Sequence, residues 1–192
     1  MLQPWVTLKT RELFVAMPWI QLSVEQVRLP DGRVVDDYYR IKLPDYAMVF
    51  AQTTDGKIIM ERLYKHGIGR VSLGLPAGLV HAGEDPLAGA QRELLEETGY
   101  VSSHWRCLGS FVVNGTYGCG NAYLFAALNA ELAAEPSSGD LEEMEIIHLE
   151  LGDIAGAIRN GDVVSLSTVA AIALATNPLF ASCNNERNPQ FS

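Results

Sequence analysis

Glu93, Glu96 and Glu97 stand one, three and four residues apart in a stretch that reads as a short helix, and they carry the clearest chemical signal in the chain. At 100° per residue their side chains fall within an arc of roughly 100°. Like charges three and four residues apart repel and destabilise an isolated helix. A divalent cation would reverse that sign, because hard ions such as Mg2+ take carboxylate oxygens. An acidic helix face is ordinarily just solvated charge, so the flanking residues have to decide. Asp85 is placed to cap the helix, Pro86 suits its first position, and Gly99 suits its C-terminal cap. Leu87, Ala90, Gln91, Leu94 and Leu95 make up the opposite, mostly apolar side.

The longer spacing is far more specific. Gly78 is followed after five residues by Glu84, and after seven more by Arg92-Glu93-Leu94, Leu95, Glu96-Glu97, Thr98 and Gly99-Tyr100. From average residue usage, chance produces this match at fewer than roughly one in a hundred million starting positions. The segment Gly78–Tyr100 satisfies every fixed position of the Nudix signature, and the chain resembles the Nudix hydrolase family. That resemblance implies an α/β fold, an α/β/α sandwich with a mixed sheet and a loop–helix–loop active site. It also implies Mg2+ or Mn2+ as cofactor and cleavage of nucleoside diphosphates linked to another group. Carried over by position, Glu93 and Glu97 are the main metal ligands and catalytic residues, assisted by Glu96 and the backbone carbonyl of Ala77. Arg92 pairs with Glu84 to hold the loop. Gly78 allows close backbone approach or a positive φ.

Within the family, the subgroup acting on ADP-ribose and other ADP-sugars is the most similar. Lys65 stands where that subgroup usually has an arginine, and Arg62 precedes it on the same strand, so both are expected to meet substrate. Gly74 stands where the subgroup usually has glutamate, which removes a carboxylate. The loop Gly115–Gly120 is glycine-rich, and Asn114 and Tyr117 are its expected substrate contacts, although Asn114 equally suits a turn cap. The subgroup's usual proline is missing between Tyr100 and Glu135. Glu142 or Glu143 takes the place of a glutamate that activates water or binds a further metal. The alternatives are other Nudix substrates (a nucleoside triphosphate, NADH or coenzyme A) or a non-catalytic nucleotide-sugar-binding regulator. A regulator of that kind usually loses signature glutamates, and none is lost here.

The elements that must position these residues follow from composition and pattern. The 192 residues suffice for one substantial core, and 48% hydrophobic with 19% charged content is ordinary for a globular domain. A net charge of −9 argues against nucleic acid as partner. Cys107, Cys119 and Cys183 make neither a disulfide framework nor a zinc pattern, which favours a reducing cytoplasm. No stretch reads as a signal peptide or membrane span. Residues 1–45 form a β-rich segment: a short strand over Trp5–Leu8, then Trp19–Leu29 and Val34–Leu43 around the Pro30–Arg33 turn. So small a sheet is marginal alone, and the subgroup resemblance makes it a homodimerisation segment. Residues 46–178 form the hydrolase domain. It opens with a hairpin around Asp55-Gly56 and includes an apolar helix, expected to be buried, within Val163–Ala175. Residues 179–192 read as a flexible tail.

Overall fold

The computed structural model describes residues 2–137 and 143–181. The chain divides into two compact units, Met1–Asp45 with Phe111–Ala122, and Tyr46–Ser110 with Tyr123–Ser192.

In the first unit, β1 (Val6–Ala16), β2 (Ile20–Arg28) and β3 (Val34–Lys42) form an antiparallel sheet in that order. The turn before β3 works through its side chains: Asp31 accepts from the Arg33 amide at 3.0 Å, and Gly32 takes φ 88°. β1 runs well past the expected Leu8. Pairs such as Arg11 with Val24 and Glu12 with Ser23 carry its polar middle, so cross-strand pairing overrides local propensity. Residues 111–122 are tied to this unit by Tyr38 Oη donating to the Thr116 carbonyl at 2.6 Å. The Ile41 amide donates to the Tyr117 carbonyl, and the Asn121 amide to Asp45 at 2.7 Å. Among residues 2–45 only Val27 is buried.

The second unit begins with β4 (Tyr46–Thr53) and β5 (Ile58–Lys65), joined through Gly56 at φ 89°. Then come β6 (Arg70–Gly74), β7 (Ala77–Leu79), α1 (Pro86–Thr98), β8 (Tyr100–Val101), β9 (His104–Asn114), β10 (Cys119–Leu132) and β11 (Met144–Leu149). α2 (Leu151–Asn160), α3 (Leu166–Thr176) and the short α4 (Pro178–Ala181) follow. The sheet order is β11-β5-β4-β10-β8, with β6 beside β5, β7 beside β4 and β9 beside β10.

Alternation along β4 makes this a sandwich. Ala47, Val49 and Ala51, with Ile59 of β5, pack on Ala90 and Leu94 of α1. Tyr46 and Met48 point the other way, to α3, where Tyr46 Oη bonds Ser167 Oγ at 2.7 Å. α3 is less buried than its sequence promised. Only Thr168, Ala171 and Ile172 are covered, and Leu166 is exposed, because one face of the helix suffices to close the layer. Among the described residues no helix is long and apolar enough to cross a membrane.

Candidate active site

Helix α1 is set by its ends. Asp85 accepts from the Ala88 amide at 3.3 Å, Pro86 sits in the first turn, and Gly99 closes the helix at φ 76°. Its buried side differs from the expected one. Ala90, Leu94 and Glu97, at i, i+4 and i+7, are buried, whereas Gln91 and Leu95 are exposed. Glu97 therefore continues the apolar stripe instead of sharing a solvent face with Glu96. Polar groups from the sheet receive it there: its Oε2 accepts from the Ala77 amide at 2.8 Å, and its carboxyl shares a hydrogen bond with Glu61.

Arg92 organises the rest of the cluster. Its Nε and Nη2 donate to the two oxygens of Glu84 at 3.0 and 3.1 Å, and Nη2 also reaches the Leu79 carbonyl at 2.9 Å. Nη1 donates to Glu93 at 2.6 Å and to Glu96 at 3.2 Å. Glu84 accepts further from the His81 amide at 2.8 Å, which fixes the loop to the helix. Gly78 serves by close approach, since it is not among the positive-φ glycines and a Cβ there would overlap the Glu93 carboxylate.

Electrostatics divide the cluster in two. The Arg92 guanidinium, helped by the His81 amide, pulls Glu84 down to about 2. Burial pushes Glu97 the other way, well above the usual carboxylate range, and the neighbouring charges of Glu61 and Glu93 add to it.

Glu61 is the residue that sequence reasoning missed. It is buried in β5, directly opposite Gly74 of β6. The signal was present: Glu61 shares its strand face with Ile59 and Leu63, both core residues, so a carboxylate there had to be buried. The carboxylate counted as lost at Gly74 has a counterpart one strand away.

The expected substrate contacts fare unevenly. Arg62 lies on the strand face opposite Glu61 and pairs with Glu145 of β11 at 2.9 Å, so the structure does not bring it to the cluster. Lys65 shares the Glu61 face and lines a cavity of about 390 Å³ together with Glu61, Gly74 and Ala77. Tyr46, Ser165 and Ser167 line the same cavity with hydroxyl groups. Asn114 and Tyr117 belong to the first unit, where Asn114 Oδ1 caps its own turn by accepting from the Thr116 and Tyr117 amides. Glu143 is exposed just before β11, and Glu142 lies outside the described residues. A larger cavity of about 570 Å³ belongs to the first unit. Among its charged groups Asp45 is met by Asn121 and Arg40 by Glu25 at 3.7 Å, and it contains no signature residue.

The donor set fits a hard divalent cation. Three carboxyls, Glu61, Glu93 and Glu97, are crowded where solvent is scarce, and their mutual repulsion is what such an ion relieves. Among the described residues no three Asp, Glu, His or Cys side chains already form a coordination shell. Glu93 and Glu96 point to Arg92 instead, so binding would require them to turn from it.

The chain is similar to known proteins along most of its length. Residues 42–164 match the NUDIX domain, and residues 5–41 match the nucleoside diphosphate sugar hydrolase N-terminal domain. The ADP-ribose pyrophosphatase of Bacillus subtilis (strain 168) is 30% identical over 154 residues, covering 80% of this chain and 83% of that protein. The methanol dehydrogenase activator of Bacillus methanolicus is 29% identical over 167 residues, covering 86% and 89%. A crystal structure of an ADP compounds hydrolase superposes with a TM-score of 0.80 at 19% identity, over 91% of this chain and 94% of that one, and shares the fold. Nudix hydrolases generally use a divalent metal. With a signature complete from Gly78 to Tyr100, held on the sandwich by Arg92 and the Ala77 amide, the chain belongs to the NUDIX family of hydrolases.

Proposed function

We propose that the protein hydrolyses the diphosphate linkage of nucleoside diphosphate sugars, ADP-ribose among them, giving a nucleoside monophosphate and a sugar phosphate. One observation carries this reading: Glu61 and Ala77 both hydrogen-bond Glu97 and both form the wall of the 390 Å³ cavity, so the carboxylate cluster opens onto space for a ligand. The names of the relatives, ADP-ribose pyrophosphatase and ADP-sugar pyrophosphatase, support the substrate class.

Glu93 and Glu97, with Glu96 and the Ala77 carbonyl, would hold Mg2+ or Mn2+, which draws charge from the diphosphate and activates water toward phosphorus. The chain's own groups do the positioning. The Ala77 amide fixes Glu97, and Arg92 fixes the loop through Glu84. Lys65 supplies positive charge from the cavity wall without a bidentate fork. Tyr46, Ser165 and Ser167 offer hydroxyls suited to a sugar. A glutamate of the cluster, or one of Glu142 and Glu143, takes the proton from the attacking water.

The first unit is read as a homodimerisation element. Its long edge strand β1 leaves Val6, Leu8, Leu13, Phe14 and Val15 exposed, and a sheet with so little buried needs a partner. Cys107 and Cys119 as free thiols fit a reducing cytoplasm.

The test is kcat/KM with Mg2+ across ADP-ribose, ADP-glucose, GDP-mannose, NADH and a nucleoside triphosphate. Lysine at 65 and the proline-free loop weaken discrimination more than diphosphate binding. Several nucleoside diphosphate sugars should therefore turn over without strong preference. A preference for ADP-ribose above a thousandfold, about 4 kcal/mol of transition-state discrimination, would refute the broad specificity. Absence of turnover on every diphosphate would refute the function.

A further inference from the structure

We propose that Thr168 and Ser72, with one spare hydroxyl proton from a chain through Tyr46, Ser167 and Ser165, form a set of donors that reads the hydroxyls of the sugar released as sugar phosphate. The inference rests on the hydrolysis of nucleoside diphosphate sugars proposed above and deepens it by naming what selects the sugar. All five side chains line the 390 Å³ cavity whose wall also includes Lys65 and Ala77.

Thr168 is 1% exposed and Ser72 7%. A buried hydroxyl without a good acceptor is costly. Elsewhere in this fold helical threonines turn back to a carbonyl four residues earlier, Thr98 to Leu94 and Thr176 to Ile172 at 2.7 Å. Thr168, in the first turn of α3, makes no such bond. Among the described residues its hydroxyl reaches only the thioether of Met48, a weak acceptor, at 3.9 Å. Ser72 Oγ likewise reaches only the carbonyl of its neighbour Leu73, at 3.3 Å. Ser72 pairs with Leu63 as Gly74 pairs with Glu61, which places it on the sheet face that carries Glu61.

The remaining donor follows from counting protons. Tyr46 Oη donates to Ser167 Oγ at 2.7 Å, and Ser167 and Ser165 share a bond at 3.2 Å. Ser165 Oγ also accepts from the Thr168 amide at 3.4 Å. Whichever serine donates to the other, one of them keeps an O–H that no described group accepts. A polyol supplies acceptors for all of these donors. A nucleobase is held instead by stacking and by amide groups along its edge. Tyr46 is the one aromatic among the described residues of this wall, and no Asn or Gln lines it. Such a wall answers to the presence of hydroxyls more than to one particular sugar, which agrees with broad turnover.

The experiment compares kcat/KM with Mg2+ for full-length wild type, T168V, T168S and S72A, with folding checked by circular dichroism. The substrates are ADP-glucose, UDP-glucose, 2′-deoxy-ADP-glucose and the ADP ester of cyclohexanol, which keeps a ring of the same size and lacks every sugar hydroxyl. Wild type should prefer ADP-glucose to the cyclohexyl ester at least about a hundredfold. T168V and S72A should each narrow that gap about tenfold, through loss on ADP-glucose, and T168S should keep most of it. Equal losses on ADP-glucose and the cyclohexyl ester mean a packing role and overturn the inference. Losses that instead follow the exchange of base or the missing 2′-hydroxyl assign the wall to the nucleoside and overturn it too. Wild-type turnover of ADP-glucose and the cyclohexyl ester alike overturns it while the proposed function stands. Absence of turnover on every diphosphate overturns both. Should T168V not fold, S72A on the same substrates decides.

Discussion

Replacing Glu97 with glutamine should make the metal-free protein more stable while removing most of its turnover. Glu97 is buried against Glu61 and Glu93, and its carboxyl is pushed up to about 10. In the unfolded chain the same group titrates at about 4.5. At pH 7 the folded state holds a proton that the unfolded state releases, and this opposes folding. The gap from 4.5 to 7 corresponds to about 3 kcal/mol, and any folded value above 7 gives the same figure. Glutamine is neutral at every pH and keeps an oxygen for the Ala77 amide. E97Q should therefore exceed wild type by about 2–3 kcal/mol at pH 7 in EDTA, or about 5–10 °C in Tm for a chain of this size. Relief of helix-surface repulsion alone would give only a few tenths of a kcal/mol. The sign of the pH dependence is fixed as well. Below pH 4.5 the wild-type carboxyl is protonated in both states, so the advantage disappears; it grows as pH rises above that value. Denaturant unfolding in EDTA at pH 4 and pH 7, with kcat in Mg2+, supplies the assay. Equal stability at pH 7, a difference that persists at pH 4, or full activity in E97Q would refute the reasoning.

Gly78→Ala should leave the fold intact but displace the Glu93 carboxylate, reducing kcat/KM by about a hundredfold or more, as an ångström-scale misplacement does; wild-type kinetics would count against the close-approach role. Glu84 titrates in the opposite sense to Glu97. Its folded value near 2 against 4.5 stabilises the protein above pH 4.5, and that contribution, about 2 kcal/mol after allowance for partial exposure, fades as pH falls toward 2. E84Q should remove this acid-side slope, and an unchanged unfolding profile between pH 5 and 3 would contradict it. Phe14→Lys on β1 adds charge to the exposed apolar edge and should convert a dimer to monomer in sedimentation; wild type sedimenting as a monomer would remove the dimer reading.

Local rules were legible in the chain because they depend on near neighbours. The Asp85 cap, the Gly99 stop and the Asp55-Gly56 hairpin all act within a few residues of one another, whereas the Arg92–Glu84 pair, eight residues apart, followed from the family resemblance. The site's buried half was harder to read, because it depends on which strand lies beside which. That Glu61 faces Gly74 is a fact of pairing register, and the sequence alone left the glycine looking like a missing carboxylate. Glu97 was assigned to a polar arc because the helix wheel treats all carboxylates alike. Its position at i+7 from Ala90 is buried only because the sheet presents the Ala77 amide and Glu61 there. Arg62 was misplaced by one residue of strand alternation, which turns it toward Glu145.

The first unit is assembled from two stretches of chain, Met1–Asp45 and Phe111–Ala122, with residues 46–110 made in between. During synthesis its three strands emerge before the segment that supplies the Thr116 and Tyr117 carbonyls to Tyr38 and Ile41 and the Asn121 amide to Asp45. At about 5–20 residues per second the wait is about 3–13 s. Throughout that interval the apolar edge of β1 is presented by an incomplete nascent sheet. Translation speed across residues 46–110 and the availability of holding chaperones should therefore govern the yield of native protein more than the stability of the finished hydrolase core does.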